Sequence, residues 1–306
     1  MKEIGGYFEL ETNRFEEYHK DALKLNSGSA CLKQIIRTFH VKKLHVPDYT
    51  CPVVWKSLWD ENCECVFYKV CPNFLPQQDF KKDDYILYNN YFGINGRNVR
   101  IMERQYRNLI IDNAQAFYST NDALASFNSA RKFFGVPDGG YLYCRDEVKL
   151  PDAVSESWNK CTALLKRCER PASEGYADFK ESEHMIAEEP VARMSKLTER
   201  LLCNIDYDAV KKKRIENYHF LHKQLGKYNQ INADLWEDDV PMVYPFLTDK
   251  VGLREKLIAN KIYVATYWPG VSPNKLIDII PLPIDQRYSA NAIENVLTVI
   301  SSSTLS

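Results

Sequence analysis

The stretch NSARKFFGVPDGGYLYC, residues 128–144, combines a lysine with a tight turn and an apolar strand. Ser129 stands three positions before Lys132, and Gly139 and Gly140 come just before the apolar residues. Paired glycines let a backbone turn sharply and approach a ligand closely. The stretch therefore predicts one of two things: an ordinary surface lysine, the common state of this residue, or a lysine held at the mouth of a sheet for a chemical role.

Short apolar runs alternate with helical patterns through the first half of the chain. This alternation predicts an α/β fold with a mostly parallel sheet between helices. The strand-like runs are KKLHVPDYT (42–50), CECVFYKV (63–70), DDYILYNNYFG (83–93), NLIIDNAQAF (108–117), ALASFNS (123–129) and GGYLYC (139–144), and the helical runs are SGSACLKQIIRTF (27–39) and CPVVWKSLW (51–59).

The character of the chain changes after about residue 150, where charged, helix-forming segments dominate. Residues 195–228 predict one long helix or two joined helices, and the basic run 211–214 is typical of a solvated helix face. Three later runs predict strands, MVYPFLT (242–248), KIYVATYW (261–268) and IIPLPI (279–284), with helices at 252–261 and 291–300. We therefore predict a large domain over residues 1–205 and a small C-terminal α+β domain over residues 206–306.

Composition excludes several classes of protein. Forty basic and forty-one acidic residues give a net charge of −1, whereas a nucleic-acid binder would show a basic excess. The sequence has neither the apolar core of a signal peptide nor an apolar run long enough for a spanning helix. Nine scattered cysteines form no C-x-x-C pair, so we predict reduced thiols rather than a metal site. These features together predict a cytoplasmic protein.

Polar residues follow the predicted strands where ligands bind in such sheets, beyond the carboxyl ends of the strands. Asp112 comes directly after an apolar run and is followed by Gln115, and Asn89 and Asn90 end another run. A carboxylate in this place is costly unless it meets a cation or hydrogen-bond donors. The alternative is that Asp112 only caps the following segment, its side chain accepting an N–H two residues on.

Small residues before the first helix offer a candidate anion site. The backbone N–H groups at a helix N-terminus favour a phosphate, and here they belong to the small residues NSGSA, 26–30. Taken alone, the same residues are better explained as an ordinary helix cap.

Together, an anion cradle, an aspartate and a lysine are what pyridoxal 5'-phosphate requires. A lysine amine condenses with its aldehyde, an aspartate pairs with the ring nitrogen, and a helix N-terminus takes the phosphate. Ser129 could donate a further hydrogen bond to that phosphate.

The order GYFELE, SGSA, VPDYT, LIIDNAQA, SARKFFGVPDGG, RMS along the chain resembles the DegT/DnrJ/EryC1/StrS aminotransferases, which are fold-type-I pyridoxal-phosphate enzymes. The resemblance is most specific at D-x-A-Q, beginning at Asp112, and at K-x6-G-G, beginning at Lys132. A late LPIDQRY, residues 282–288, marks a short branch of that family.

The resemblance implies roles for these residues. Lys132 would form the Schiff base with the cofactor and then move the substrate proton, and Asp112 would pair with the pyridine nitrogen. Gln115 would lie near the ring hydroxyl. The phosphate would be held by Gly28, Ser29, Ala30 and Ser129. The resemblance also implies a homodimer.

Two positions depart from the family pattern. Cys51 stands where family members carry an aromatic residue that stacks on the ring, with Tyr49 and Trp55 nearby as substitutes. Val191 stands where many members carry an asparagine that reaches the partner's phosphate. Further candidates to line a pocket are Tyr91, Phe92, Arg193, Tyr267 and Trp268.

The implied activity is an aminotransferase that moves an amino group from an amino-acid donor, such as glutamate, to a keto-sugar, nucleotide-linked or free. Related proteins that dehydrate sugars carry a histidine in place of the lysine, so Lys132 argues against that chemistry. The alternative is a degenerate pyridoxal-phosphate-binding protein with a regulatory or structural role. The intact pair of Asp112 and Lys132 argues against it, because buried charges are expensive to keep.

Overall fold

The computed structural model describes residues 9–12, 15–268 and 275–302. A seven-stranded sheet forms its centre, with strand order β1-β7-β6-β5-β4-β2-β3. The strands are β1 (Leu23–Leu25), β2 (Lys43–Pro47), β3 (Glu64–Tyr68), β4 (Tyr85–Asn89), β5 (Leu109–Asp112), β6 (Ala125–Ser129) and β7 (Gly140–Cys144). The five strands β6, β5, β4, β2 and β3 run parallel to one another. Strand β7 runs antiparallel to both of its neighbours, β1 and β6. The predicted mostly parallel sheet is confirmed.

Nine α-helices surround this sheet and a second, smaller one within the described ranges. They are α1 (Gly28–Phe39), α2 (Pro52–Asp60), α3 (Gly96–Gln105), α4 (Thr162–Glu169), α5 (Tyr176–Glu188), α6 (Lys196–Leu202), α7 (Tyr207–Leu225), α8 (Leu253–Ala259) and α9 (Ala290–Ser301). The smaller sheet pairs β8 (Val243–Phe246) with β9 (Ile280–Pro283) antiparallel. The predicted long helical region is two helices, α6 and α7.

One predicted strand is wrong. Residues 261–268 form no strand, although the burial of the first side chains alternates as it would in one. Ile262 and Val264 are buried while Tyr263 is exposed. No described strand pairs with this segment.

The sheet is covered on both faces because successive strand residues point to opposite sides. Leu87 and Ile110 pack toward α1 and α2, whereas Tyr88 and Ile111 pack on the other side. The apolar cluster on the side of Tyr88 and Ile111 continues into the small sheet and its helices, for example to Leu282. The hydrophobic core therefore joins the large sheet to the C-terminal elements.

Helix α1 begins where the sequence predicts it. The Ser27 hydroxyl accepts a hydrogen bond from the Ala30 N–H at 3.0 Å, an N-cap that satisfies one of the free donors of the first turn. Leu32, Ile35 and Ile36 lie on the buried face. This cap fixes the helix N-terminus next to the carboxyl ends of the central strands. No helix in the parts of the chain that are described has the length and apolar character needed to cross a membrane.

Candidate functional site

The carboxyl ends of three parallel strands meet at one edge of the large sheet. Asn89 of β4 is paired in register with Asp112 of β5, and Asp112 is paired with Phe127 of β6. A cleft of about 180 Å³ opens above these ends, which we call the strand-end cleft. Its lining residues are Ser27, Gly28, Ser29, Leu32, Cys51, Val53, Val54, Ser57, Asn89, Asn90, Asp112, Ala114, Gln115, Phe127, Ser129, Arg131, Lys132, Glu183, Ile186, Ala187 and Trp268.

Six of the seven site residues named from the sequence line this cleft: Gly28, Ser29, Asp112, Gln115, Ser129 and Lys132. The exception is Ala30, which is buried and absent from the lining. Its N–H donates to the Ser27 hydroxyl and so serves the helix cap. The N–H groups of Gly28 and Ser29 lie in the first turn of α1, where helix geometry supplies no intrahelical acceptor.

Asp112 faces the cleft and also makes the local hydrogen bond that the capping alternative requires. Its Oδ1 accepts from the Ala114 N–H at 2.7 Å. Burial raises the pKa of Asp112 to about 6, and the Ala114 N–H and the charge of Lys132 act in the opposite direction. The carboxylate is thus held in place by the backbone and would gain from a cationic ligand.

Lys132 closes a short 3₁₀ turn, Ala130–Lys132, directly after β6, and it is exposed to the strand-end cleft. The Ala130 N–H donates to the Gly139 carbonyl at 3.1 Å, which fixes this turn against the start of β7. The lysine therefore stands on a short, backbone-bonded turn at the mouth of the sheet.

Gly139 and Gly140 bring the backbone against the start of α1, whereas the sequence suggested an approach to a ligand. Gly139 has φ +112°, a region that side-chain-bearing residues rarely adopt, and its N–H donates to the Asn26 carbonyl at 2.8 Å. A Cβ atom at Gly140 would lie 2.6 Å from the Ser27 carbonyl carbon and oxygen. The glycine pair thus holds the lysine turn beside the N-terminus of α1.

Asp138, from the same Pro-Asp-Gly-Gly turn, is completely buried. Its carboxylate accepts from the Ser195 N–H at 3.1 Å, from the Ser195 hydroxyl at 2.9 Å and from the Thr198 hydroxyl. Ser195 also caps α6. The Arg-Met-Ser motif is therefore bonded to the lysine segment through its serine.

Gln115 lines the cleft and carries a buried donor without a partner among the described residues. Its Oε1 accepts from the Phe92 N–H at 2.8 Å, and Phe92 adopts a left-handed conformation with φ 58°. The buried Nε2 of Gln115 has no hydrogen-bond partner in the described chain, nor do the buried Oδ1 atoms of Asn89 and Asn90. Buried polar atoms without partners are rare, and three along one cleft indicate a polar ligand.

Two aromatic residues of the described chain line the cleft, Phe127 of β6 and Trp268, and neither of the substitutes proposed for Cys51 does. Cys51 lines the cleft at the start of α2, while Trp55 packs edge-on against Phe67 and Tyr49 is buried. Tyr49 contacts Trp268 edge-to-face, with ring centroids 4.8 Å apart.

The remaining departures and candidates lie outside the lining. Tyr91 and Phe92 are buried in the core, Tyr267 packs against it, and Arg193 donates to the Asp152 carbonyl. Val191 packs against the α1 side of the core.

Helix α5 covers one side of the cleft, which the sequence did not predict. Glu183, Ile186 and Ala187 line the cleft from one face of this helix. Glu183 forms an ion pair with Arg131, and Glu188 pairs with Lys56 of α2 at 2.7 Å. The signal was the spacing i, i+3, i+4, which the many charges of the segment concealed.

No protein-family model and no curated protein sequence matches the chain. Solved structures do match. A DegT DnrJ EryC1 StrS aminotransferase from Brucella abortus has TM-score 0.61 and 16% identity, covering 92% of this chain and 85% of that one. The sugar aminotransferase CalS13 from Micromonospora echinospora has TM-score 0.61 and 12% identity, over 92% and 87%. NtdA from Bacillus subtilis, with bound cofactor PMP, has TM-score 0.65 and 13% identity, over 94% and 74%.

At these identities the likeness shows the fold. The fold expected from the sequence, that of the fold-type-I aminotransferases, is confirmed. Among the described residues, no group of three or more metal-binding side chains lies close enough together to hold an ion.

Proposed function

We propose that the chain is a pyridoxal-phosphate-dependent aminotransferase. The observation that carries the proposal is that Lys132 and Asp112 line one cleft from the ends of adjacent parallel strands. A carboxylate and an amine in this arrangement suit a cofactor with a basic ring nitrogen at one end and an aldehyde at its side.

The polar atoms of the strand-end cleft fit this cofactor. Asp112 would bind the protonated ring nitrogen, a contact that offsets the burial cost of its charge. The unpaired Nε2 of Gln115 would donate to the ring hydroxyl. The free N–H groups of Gly28 and Ser29, with the Ser129 hydroxyl, would hold the phosphate.

Trp268 would supply the apolar contact to the ring face that Cys51 cannot. It lines the cleft and is held by its edge-to-face contact with Tyr49. Trp268 belongs to a segment remote in sequence from Cys51.

The bound cofactor supplies an electron sink for the carbon that carries the amino group. Lys132 would take the proton from that carbon and deliver it to the cofactor carbon on the other side of the shared nitrogen, since a free amine can act as base and then as acid. Ile186 and Ala187 of α5 would limit the access of water to the reacting atoms.

The donor in this proposal is an amino acid such as glutamate, and the acceptor is a keto-sugar, nucleotide-linked or free. Support comes from CalS13, a structural neighbour described as a sugar aminotransferase. The proposal includes a homodimer, which the family resemblance implies, and a cytoplasmic location, which the sequence features predict.

The test is the visible absorption spectrum of the purified protein with added pyridoxal phosphate. We expect a band from the lysine-bound cofactor in the wild type, lost in Lys132→Ala and kept in Lys223→Ala, a control at an exposed lysine of α7. Addition of glutamate should bleach the band. A band that no donor bleaches would favour the alternative, a degenerate binding protein. That alternative is suggested by Cys51, which stands in place of the stacking aromatic residue. No band in the wild type would reject the cofactor.

A further inference from the structure

The strand-end cleft contains a charged pair that the proposed cofactor does not use. Its charged lining residues in the described chain are Asp112, Arg131, Lys132 and Glu183. With Asp112 on the ring nitrogen and Lys132 on the aldehyde, neither is left to bind a substrate charge. Arg131 and Glu183 remain, paired with each other.

We propose that Arg131 binds the carboxylate of the amino-acid donor, and that Glu183 is its exchangeable counter-ion when no donor is present. This inference rests on the proposed function and assigns the substrate contact within the same site.

The pair is suited to exchange because its two members differ in exposure. The Arg131 side chain is 20% exposed and stands on the fixed lysine turn, whereas that of Glu183 is 46% exposed and projects from α5. An ion pair with a half-exposed carboxylate contributes little free energy. Arginine binds carboxylates through two parallel N–H bonds, so a donor carboxylate can replace Glu183 at little cost.

The other carboxylate near Arg131, that of Asp138, does not rely on Arg131 for hydrogen bonds. The negative charge of Asp138 lies close enough to raise the pKa of Arg131. However, the Asp138 carboxylate already accepts two hydrogen bonds from Ser195 and one from Thr198. These bonds satisfy the Asp138 carboxylate without Arg131, and burial, which lowers the pKa of Arg131 to about 10, leaves Arg131 cationic at neutral pH.

The position of Arg131 fits an α-amino acid. Its Cα is adjacent to that of Lys132, about 3.8 Å away. An amino acid carries its carboxylate and its amino group on one carbon, so an amino group delivered to the Lys132 end of the cleft places the carboxylate close to Arg131. A keto-sugar offers no carboxylate at that point, and Glu183 then returns to Arg131. One site thereby accepts two chemically different substrates.

Calorimetric titration of the full chain, loaded with pyridoxal phosphate, tests this assignment, with glutarate as a probe that has carboxylates and no amino group. We expect Arg131→Gln to weaken glutarate binding at least about 10-fold, and Arg131→Lys to weaken it less. Glu183→Gln should tighten binding about 2–5-fold by removing the competitor. Arg145→Gln, at an arginine paired with Asp122 away from the cleft, should leave it unchanged.

Two results with glutarate would overturn the proposal: an unchanged affinity in Arg131→Gln, or a weaker affinity in Glu183→Gln. A third would come from the cofactor-free protein, if Arg131→Gln lost as much affinity for inorganic phosphate as it loses for glutarate. The last would assign Arg131 to the phosphate cradle. The Glu183→Gln arm decides the question by itself if Arg131→Gln does not fold. The absorption band of the lysine-bound cofactor distinguishes this proposal from the proposed function. If glutarate binding depends on Arg131 but no band forms, the cofactor is rejected and the carboxylate site is retained.

Discussion

Gly140 and Ser27 approach so closely that a Cβ atom at Gly140 would lie 2.6 Å from the Ser27 carbonyl carbon and oxygen, and 2.8 Å from the Gly28 nitrogen. Both contacts are with backbone, which cannot rotate away as a side chain can. The distance between the lysine turn and the start of α1 is therefore set by the absence of a side chain at residue 140.

Gly140→Ala should destabilise the protein by about 1–3 kcal/mol, because the added methyl group must push β7 and α1 apart. Gly135→Ala is the matched control in the same segment, since its Cβ would meet only Leu164, at 3.9 Å. Urea unfolding of both variants measures the difference. Equal midpoints for the two would contradict the close approach.

Asp112→Asn should stabilise the cofactor-free protein at pH 8. The folded pKa of Asp112, about 6, lies above its ordinary value of about 4, so folding favours the protonated form. The carboxylate costs almost nothing below pH 4, its cost grows between about pH 4 and pH 6, and it stays constant at higher pH. Asparagine keeps the oxygen that accepts from Ala114 and avoids that cost.

The expected gain is about 1–2 kcal/mol at pH 8, falling to zero near pH 4. Thermal unfolding across this range measures it. Saturating pyridoxal phosphate should reverse the order, because only the wild type can pair with the ring nitrogen. A variant less stable than the wild type at pH 8 without cofactor would refute the burial cost.

Gln115→Ala should cost about 1–3 kcal/mol even without cofactor, because it leaves the buried Phe92 N–H without an acceptor. Gln77→Ala, at an exposed glutamine, should change the free energy of unfolding by less than about 0.5 kcal/mol. Chemical denaturation distinguishes the two. A neutral result at Gln115 would mean that the Phe92 N–H finds another partner.

Ser195→Ala should cost about 2–3 kcal/mol, more than the loss of a helix cap alone. The serine caps α6 and also donates to the buried Asp138 carboxylate, which would lose one of its donors. Ser289→Ala is the control, since Ser289 caps α9 through the equivalent bond to the Ala292 N–H. Its loss should be about 1 kcal/mol. Matching values would mean that the Asp138 bond adds nothing to the cap.

The placement of the site could be predicted from the sequence because it follows from a rule about sheets. Asn89, Asp112 and Ser129 each end an apolar run, and parallel strands bring such ends to one edge. Gln115 and Lys132 lie within three residues of those ends, so their positions followed too. Ala30 did not fit, because counting residues at a helix start does not show which N–H the cap uses.

Features that depend on contacts distant in sequence could not be predicted. Helix α5 reaches Arg131 from about fifty residues away, and nothing in its charged sequence indicated that contact. Trp268 lines the cleft, as expected from the sequence, but its segment is not the strand that the sequence predicts. The alternating burial of Ile262, Tyr263 and Val264 is that of a strand, but pairing depends on contacts distant in sequence, which the local pattern does not show.

The hydrogen bond from Gly139 to Asn26, with the pairing of β1 against β7, has a consequence for how the protein acquires its site. These contacts join residues more than one hundred positions apart, so they form only after a long loop has closed. Pairings of this kind form slowly, because the entropy of closure must be lost before the contact stabilises the chain. The lysine turn and the helix start meet only when the edge of the sheet is complete. Ligand binding at the cleft therefore requires the complete native sheet, and partly folded chains would not bind the ligand.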